Sequence, residues 1–185
     1  MMPYLGAIAA LAVLVLLLYN SLVAKRNAVE NAFATIDVYL KKRYDLIPGL
    51  VAVVKGYAQH ESATLAKVAE LRTRALAGGL TSEVRVGLDN ELSAGLTRLL
   101  ATAEAYPELK ANEHFGQLQR ALCEIEEQLA AARRAFNAGV TEYNTAIEVF
   151  PTNLLAGPLG FLRRTWLATP PAEQGPVNVG GLLGQ

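Results

Sequence analysis

Leu5-Gly6-Ala7-Ile8-Ala9-Ala10-Leu11-Ala12-Val13-Leu14-Val15-Leu16-Leu17-Leu18-Tyr19-Asn20-Ser21-Leu22-Val23-Ala24-Lys25-Arg26 is the stretch that decides the fold. No charged side chain occurs from Met1 to Tyr19, and the first basic residues are Lys25 and Arg26. An apolar helix of about 18–20 residues rises far enough to cross a hydrocarbon core of roughly 30 Å. Everything after it is polar and helically periodic. The chain therefore reads as all-α: an N-terminal transmembrane helix continuous with an antiparallel, up-and-down bundle of long helices, four in number.

A cleaved signal peptide is the competing reading of the same residues. The absence of a basic segment before the run, the length of the run, and Leu22 in place of a small residue ahead of Ala24 all favour an anchor. Tyr4 and Tyr19 stand near its two ends, where interfacial aromatics belong. Gly6, Ala7, Ala9, Ala10 and Ala12 narrow one part of the helix, a pattern that ordinary apolar composition also produces. Lys25, Arg26, Lys41, Lys42 and Arg43 all follow the span. By the positive-inside rule the N-terminus lies outside and the body is cytoplasmic, at the inner (plasma) membrane of the cell.

The rest of the chain divides by composition. Residues 1–24 form the anchor, 25–150 the cytoplasmic bundle, 151–167 an apolar C-terminal segment, and 168–185 a Pro/Gly-rich tail. The bundle's first apolar stripe is Phe33, Ile36, Leu40, Tyr44 and Ile47, continued by Leu50, Val54, Tyr57, Leu65, Val68 and Leu71. Pro48-Gly49 interrupts it, because proline lacks an amide donor and clashes with the preceding turn. The unbroken phase favours a kink there. Element lengths favour a reversal, which would give helices of about 22, 30, 25 and 38 residues. Gly78-Gly79 should end the next helix, with Thr81 or Ser82 capping a third. Its stripe is Leu80, Val84, Leu88, Leu92, Leu96, Leu99, Ala103 and Tyr106, and Pro107 stops it. Asn112 caps the last long helix. Its apolar positions run from Phe115 to Phe150 at a mean interval of 3.5 residues, the spacing of a left-handed bundle seam. Cys123 adjoins that seam and reads as a small packed side chain.

Function is less legible. Lysine plus arginine and aspartate plus glutamate each number 17, so the formal charge is zero and no basic excess points to nucleic acid. His60 and His114 each adjoin a glutamate, but sequential neighbours diverge by about 100° on a helix and do not chelate. Glu124, Glu126 and Glu127 share a charged face with Arg120, Arg133 and Arg134, which reads as solvated surface. No phosphate-binding loop, nucleophile elbow or kinase motif is present. No enzymatic activity, cofactor or metal site is expected.

Two clusters are the candidate contact surfaces. Lys41, Lys42, Arg43 and Tyr44 lie about 30 Å along the helix from the inner end of the span, too far for strong attraction to lipid. Carboxylates on another helix or subunit, or simply solvent, are the alternatives. Phe161, Arg163, Arg164 and Trp166 belong to an apolar segment too broken by glycine and proline to span. It either packs on its own chain or a neighbour, or rests on the membrane with Trp166 and the arginines among the headgroups.

Several runs resemble the LemA family. They are Tyr19-Asn20-Ser21-Leu22-Val23, Lys25-Arg26-Asn27, Ile36-Asp37-Val38-Tyr39-Leu40-Lys41-Lys42-Arg43-Tyr44-Asp45-Leu46-Ile47-Pro48 and Val54-Lys55-Gly56-Tyr57-Ala58. Ala105-Tyr106-Pro107-Glu108-Leu109-Lys110-Ala111-Asn112-Glu113, Ala132-Arg133-Arg134 with Asn137, Tyr143-Asn144, and Phe150-Pro151-Thr152-Asn153 with Gly160-Phe161 follow in the family's order. The resemblance implies a bacterial membrane protein with one N-terminal span and a cytoplasmic up-and-down bundle, in a family that includes a magnetosome-membrane member. It implies no catalytic residue and no cofactor. The ending Phe161-Leu162-Arg163-Arg164-Thr165-Trp166 and the Pro/Gly tail depart from the family's usual aromatic and basic end. Two functions follow as expectations: a non-catalytic scaffold that self-assembles at the membrane, or an adaptor for another membrane protein such as a membrane protease. The expected partners are membrane lipid, further copies of the chain and, in the adaptor reading, that other membrane protein, with no nucleic acid.

Overall fold

A computed structural model describes residues 2–77, 79 and 82–167. Thr81, one of the two residues expected to cap the third helix, and the tail 168–185 lie outside the described residues; the other, Ser82, is the first residue of that helix. Helix α1, Met2–Tyr57, is one element of 56 residues. It is followed by α2, Ser62–Leu76, then α3, Ser82–Thr102. The one-turn helix α4, Pro107–Lys110, precedes α5, Glu113–Glu148, and a second one-turn helix, α6, spans Asn153–Ala156. Among the described residues there is no strand.

The chain neither stops nor reverses at Pro48. That proline removes the amide that would close onto the carbonyl of Tyr44, four residues back. The released carbonyl is taken by the neighbouring helix instead: Arg72 Nε, on α2, donates to Tyr44 O at 2.8 Å. The reversal falls ten residues later, at Ala58, which leaves helical geometry (φ −117°, ψ 64°) before a short 3₁₀ turn over Gln59–Glu61. Gly79 takes φ +78° between α2 and α3, a conformation an L side chain resists. Asn112 caps α5 as expected, its Oδ1 accepting from the Phe115 amide at 3.0 Å.

The pairing is antiparallel along the whole of α5 and the part of α1 beyond its apolar run. Lys25 faces Glu142, Val29 faces Gly139, Phe33 faces Phe136, Arg43 faces Glu126 and Gly49 faces Leu118. Each step along α1 is thus matched by an equal step back along α5. Helix α3 runs with α1, since Asp37 meets Arg85 and Arg43 meets Asp89. Helix α2 runs against α3, with Gly95 pressed on Val68. The result is a four-helix, up-and-down bundle whose core holds Ile36, Leu40, Ile47, Leu50 and Val54 from α1. Leu65, Val68 and Leu71 join from α2, Leu88, Leu92, Leu96 and Leu99 from α3, and Phe115 through Ile147 from α5.

Two of these helices are short. At 1.5 Å per residue α2 covers about 23 Å, while the part of α1 beyond Leu22 extends for about 54 Å. Near the span, α1 and α5 are therefore a bare pair. Residues 161–167, which form neither helix nor turn, cover one side of that pair.

Expectations about the stripes fail at their edges. Tyr57, the last residue of α1, is exposed, and Leu80 lies outside the described residues. Phe150 is 77 % exposed, because α5 ends at Glu148 and Pro151 follows. Val84 is also exposed, in the first turn of α3. Cys123 is exposed rather than packed: it is one residue past Leu122, and so about 100° around the helix from the seam.

Candidate functional site

The basic run of α1 does not form one surface. Three consecutive residues on a helix diverge, and here they divide. Lys41 stays in solvent and pairs with Asp45 at 3.3 Å, and Lys42 lies 5.2 Å from the centre of the Tyr39 ring. Arg43 and Tyr44 turn inward. Arg43 has no exposed surface, which removes it and Tyr44 from the candidate contact residues. Its partners are the carboxylates of other helices in the same chain. Nη1 donates to Asp89 Oδ1 at 3.0 Å, Nη2 donates to Ser93 Oγ at 2.7 Å, and Nε lies 2.9 Å from Glu126 Oε1 in an ion pair bent away from hydrogen-bond geometry. Asp89 also accepts from Arg133 of α5 through its second oxygen. A buried carboxylate thus clamps arginines from α1 and α5 onto α3. Asp37 and Arg85 continue the network outward at 2.6 Å.

The charges in this layer balance: Arg43 and Arg133 against Asp89 and Glu126. Such a network fixes which helices meet and at what height, because any other pairing strands a buried charge. Tyr44 stands beside it with its pKa pushed up to about 12, chiefly by burial and then by the Asp89 anion. It stays a neutral phenol at any physiological pH.

The second cluster is a clamp on the C-terminal segment. Asn144 makes two bonds to the backbone of Arg164: its Nδ2 donates to the carbonyl at 2.9 Å, and its Oδ1 accepts from the amide at 3.0 Å. Asn137 does the same for Leu167, at 3.0 and 2.9 Å. The two asparagines lie two helical turns apart, about 10.5 Å, and three residues of extended chain span about 10 Å. The spacings match, so one face of α5 reads the strap in register, as a neighbouring strand would. Tyr143 Oη adds a bond to Leu162 O at 3.0 Å. Burial also pushes the Tyr143 phenol up.

The candidate side chains of this segment are held by the same chain. Phe161 is buried, with its ring 5.9 Å from that of Tyr19 and Arg26 stacked 5.4 Å away. Arg163 pairs with Glu148 at 2.9 Å and Arg164 with Glu30 at 3.0 Å. Trp166 is half exposed and donates from Nε1 to Thr141 Oγ1 at 3.0 Å. The two candidate clusters do not converge: one sits in the cross-section of the four helices, the other beside the bundle end of the apolar segment. Sequence reasoning missed Asp89, Ser93, Arg72, Asn137 and Asn144 as structural partners. The available signals were an acid between Leu88 and Leu92, and two asparagines seven residues apart on an apolar helix.

The LemA family model matches residues 32–180. The chain belongs to the LemA family. Magnetosome protein MamQ 2 of Paramagnetospirillum magneticum is 24 % identical to it, over 94 % of this chain and 72 % of that protein. Magnetosome protein MamQ of Magnetospirillum gryphiswaldense is 23 % identical over 88 % of this chain and 69 % of its own length. Protein LemA of Metamycoplasma hominis is 26 % identical over 74 % of this chain and 63 % of its own. None of these relatives is named for an enzymatic activity. With a helix long and apolar enough to cross a bilayer, at a mean hydropathy of 2.4, the chain is a membrane-associated LemA-family protein.

Proposed function

We propose that this LemA-family chain is a non-catalytic scaffold, anchored in the bacterial inner membrane by the start of α1, that assembles with further copies of itself through its cytoplasmic helices. The observation that carries the reading is the continuity of α1. One helix of 56 residues runs from the apolar segment to the far end of the bundle, so no linker lets the bundle swing relative to the span. A body held at fixed height and angle suits ordered assembly at a membrane. The cations Lys25, Arg26, Lys41 and Lys42 all lie on the bundle side of the span, which supports a cytoplasmic bundle. A shallow apolar hollow lined by Gly49, Ala52, Val53, Leu118 and Ala121 offers a close-approach surface for a neighbouring helix. The relatives from the two magnetosome-bearing species are named for a cellular structure rather than a reaction, which fits the same reading.

Crosslinking in intact membranes, followed by light scattering of the purified full chain in mild detergent, tests this. Ladders of self-crosslinked species and a mass of several chains are the expected result. A monomer with one heterologous crosslinked band would replace the scaffold by an adaptor.

A further inference from the structure

The corner where α5 turns into α6 exposes large apolar side chains. Phe150 is 77 % exposed and Leu154 65 %, as much as Leu5, Ile8 and Leu11 within the span itself, at 67, 64 and 61 %. Val149 and Leu159 lie on the same corner at 48 and 46 %. Side chains this large and this open are not explained by the fold, because the core is complete without them.

Their height along the molecule identifies what covers them. Lys25 faces Glu142 and Val29 faces Gly139, so the antiparallel register brings Glu148 level with residues 19 and 20. Phe161, five residues after the end of α6, packs its ring against that of Tyr19. On α1 the first fully buried residue is Leu22, and the apolar side chains from Tyr4 to Leu17 are exposed. The corner is therefore continuous with the inner end of the membrane helix and stands at the level where hydrocarbon gives way to headgroups. The pairs Lys25–Glu142 and Arg163–Glu148 rim it on the bundle side. Trp166, bonded to Thr141, stands about 10 Å higher and outside that level.

We propose that Val149, Phe150, Leu154 and Leu159 form a second membrane contact, a foot inserted into the inner leaflet beside α1. The proposal rests on α1 being a membrane span. With two points of contact the bundle is fixed in rotation about α1 as well as in height, so each copy presents the same face to its neighbours.

Depth-dependent fluorescence quenching tests the foot on the full chain in phosphatidylethanolamine/phosphatidylglycerol vesicles containing lipid with a nitroxide high on the acyl chain. Bimane is placed at Phe150→Cys or Leu154→Cys in a Cys123→Ser background. Leu14→Cys reports the span, and native Cys123, about 35 Å beyond the inner end of the span, reports the aqueous bundle. Expected quenching is about two-fold or more at 150 and 154 and near unity at 123, as for groups within and beyond the interface. Quenching at 14 with none at 150 or 154 overturns the foot and leaves the anchor standing. No quenching at 14 removes the anchor and the foot together. Bimane at 150 and 154 that is shielded from water yet unquenched by lipid assigns the corner to a neighbouring protein and overturns the proposal.

Discussion

Replacing Arg72 by methionine isolates the consequence of Pro48. The Arg72 guanidinium closes on the carbonyl that the proline leaves without its helical amide, at 2.8 Å and only partly shielded from water. A hydrogen bond from a charged donor contributes about 1.5–3 kcal/mol net, and partial exposure points to the lower end. Arg72→Met should therefore cost about 1.5 kcal/mol. At roughly 2–4 °C per kcal/mol for a chain of this size, the melting temperature falls by about 3–6 °C. Pro48→Ala restores the amide at position 48, and with it the bond to Tyr44 O. It removes an interior proline, which costs about 3 kcal/mol against alanine where nothing compensates. Since Arg72 compensates in part, Pro48→Ala should stabilise by about 1–2 kcal/mol. In that background the carbonyl no longer needs Arg72, so Arg72→Met should cost only about 0.5 kcal/mol. The assay is a double-mutant cycle on the full chain in detergent, followed by circular dichroism at 222 nm on heating. A coupling near 1 kcal/mol is expected. Equal costs of Arg72→Met in both backgrounds, or a destabilising Pro48→Ala, would refute the reasoning.

Three further outcomes follow from the same contacts. Asp89→Ala leaves Arg43 buried without its main carboxylate and frees the second oxygen's hold on Arg133, so thermal melts should show a loss of about 3–5 kcal/mol. Asn144→Ala removes both bonds to Arg164; the strap should loosen, and because Trp166 is the sole tryptophan, its emission should shift to the red and iodide should quench it more. Tyr44 titrates near 12 when folded and near 10 when unfolded, so the unfolded chain holds fewer protons in that interval. Its contribution is fully present below pH 10 and lost as the pH rises to 12, and Tyr44→Phe should flatten that part of the stability–pH curve.

The parts of the fold legible in the sequence were those governed by apolar period. The 3.5-residue spacing of α5 placed Phe115, Leu122, Leu129, Phe136, Tyr143 and Ile147 in the core, and the uncharged run identified the membrane helix. Pro48 was ambiguous because a proline's effect depends on whether some other donor reaches the released carbonyl. That donor, Arg72, lies 28 residues away by contact, not by pattern. The basic run was ambiguous for a related reason. Periodicity says that Lys41, Lys42 and Arg43 must diverge, but which one turns inward depends on where Asp89 and Glu126 stand across the bundle. The strap was harder still. An extended segment has no helical period, and its partners are backbone atoms, which leave no trace in the identities of residues 161–167.

That strap resolves a mismatch in the architecture. Helices α2 and α3 end short of the membrane, so the stretch of α1 and α5 nearest the span has two helices where the far end has four. A pair of helices alone cannot close a core. A third helix would need to enter and leave beside the bilayer, with unpaired ends at both turns. An extended strand needs no such ends if a side chain completes its backbone bonds, and Asn137 and Asn144 supply amide groups at the spacing of the strand. Leu167 then reaches Phe33, Ile36 and Leu40 where α3 begins, which joins the strap to the four-helix layer. The family match, from residue 32 to 180, omits the span and includes the strap. The expected boundary between residues 24 and 25 falls inside an unbroken helix, and the helical bundle is closed by its own C-terminal segment rather than by a fifth helix.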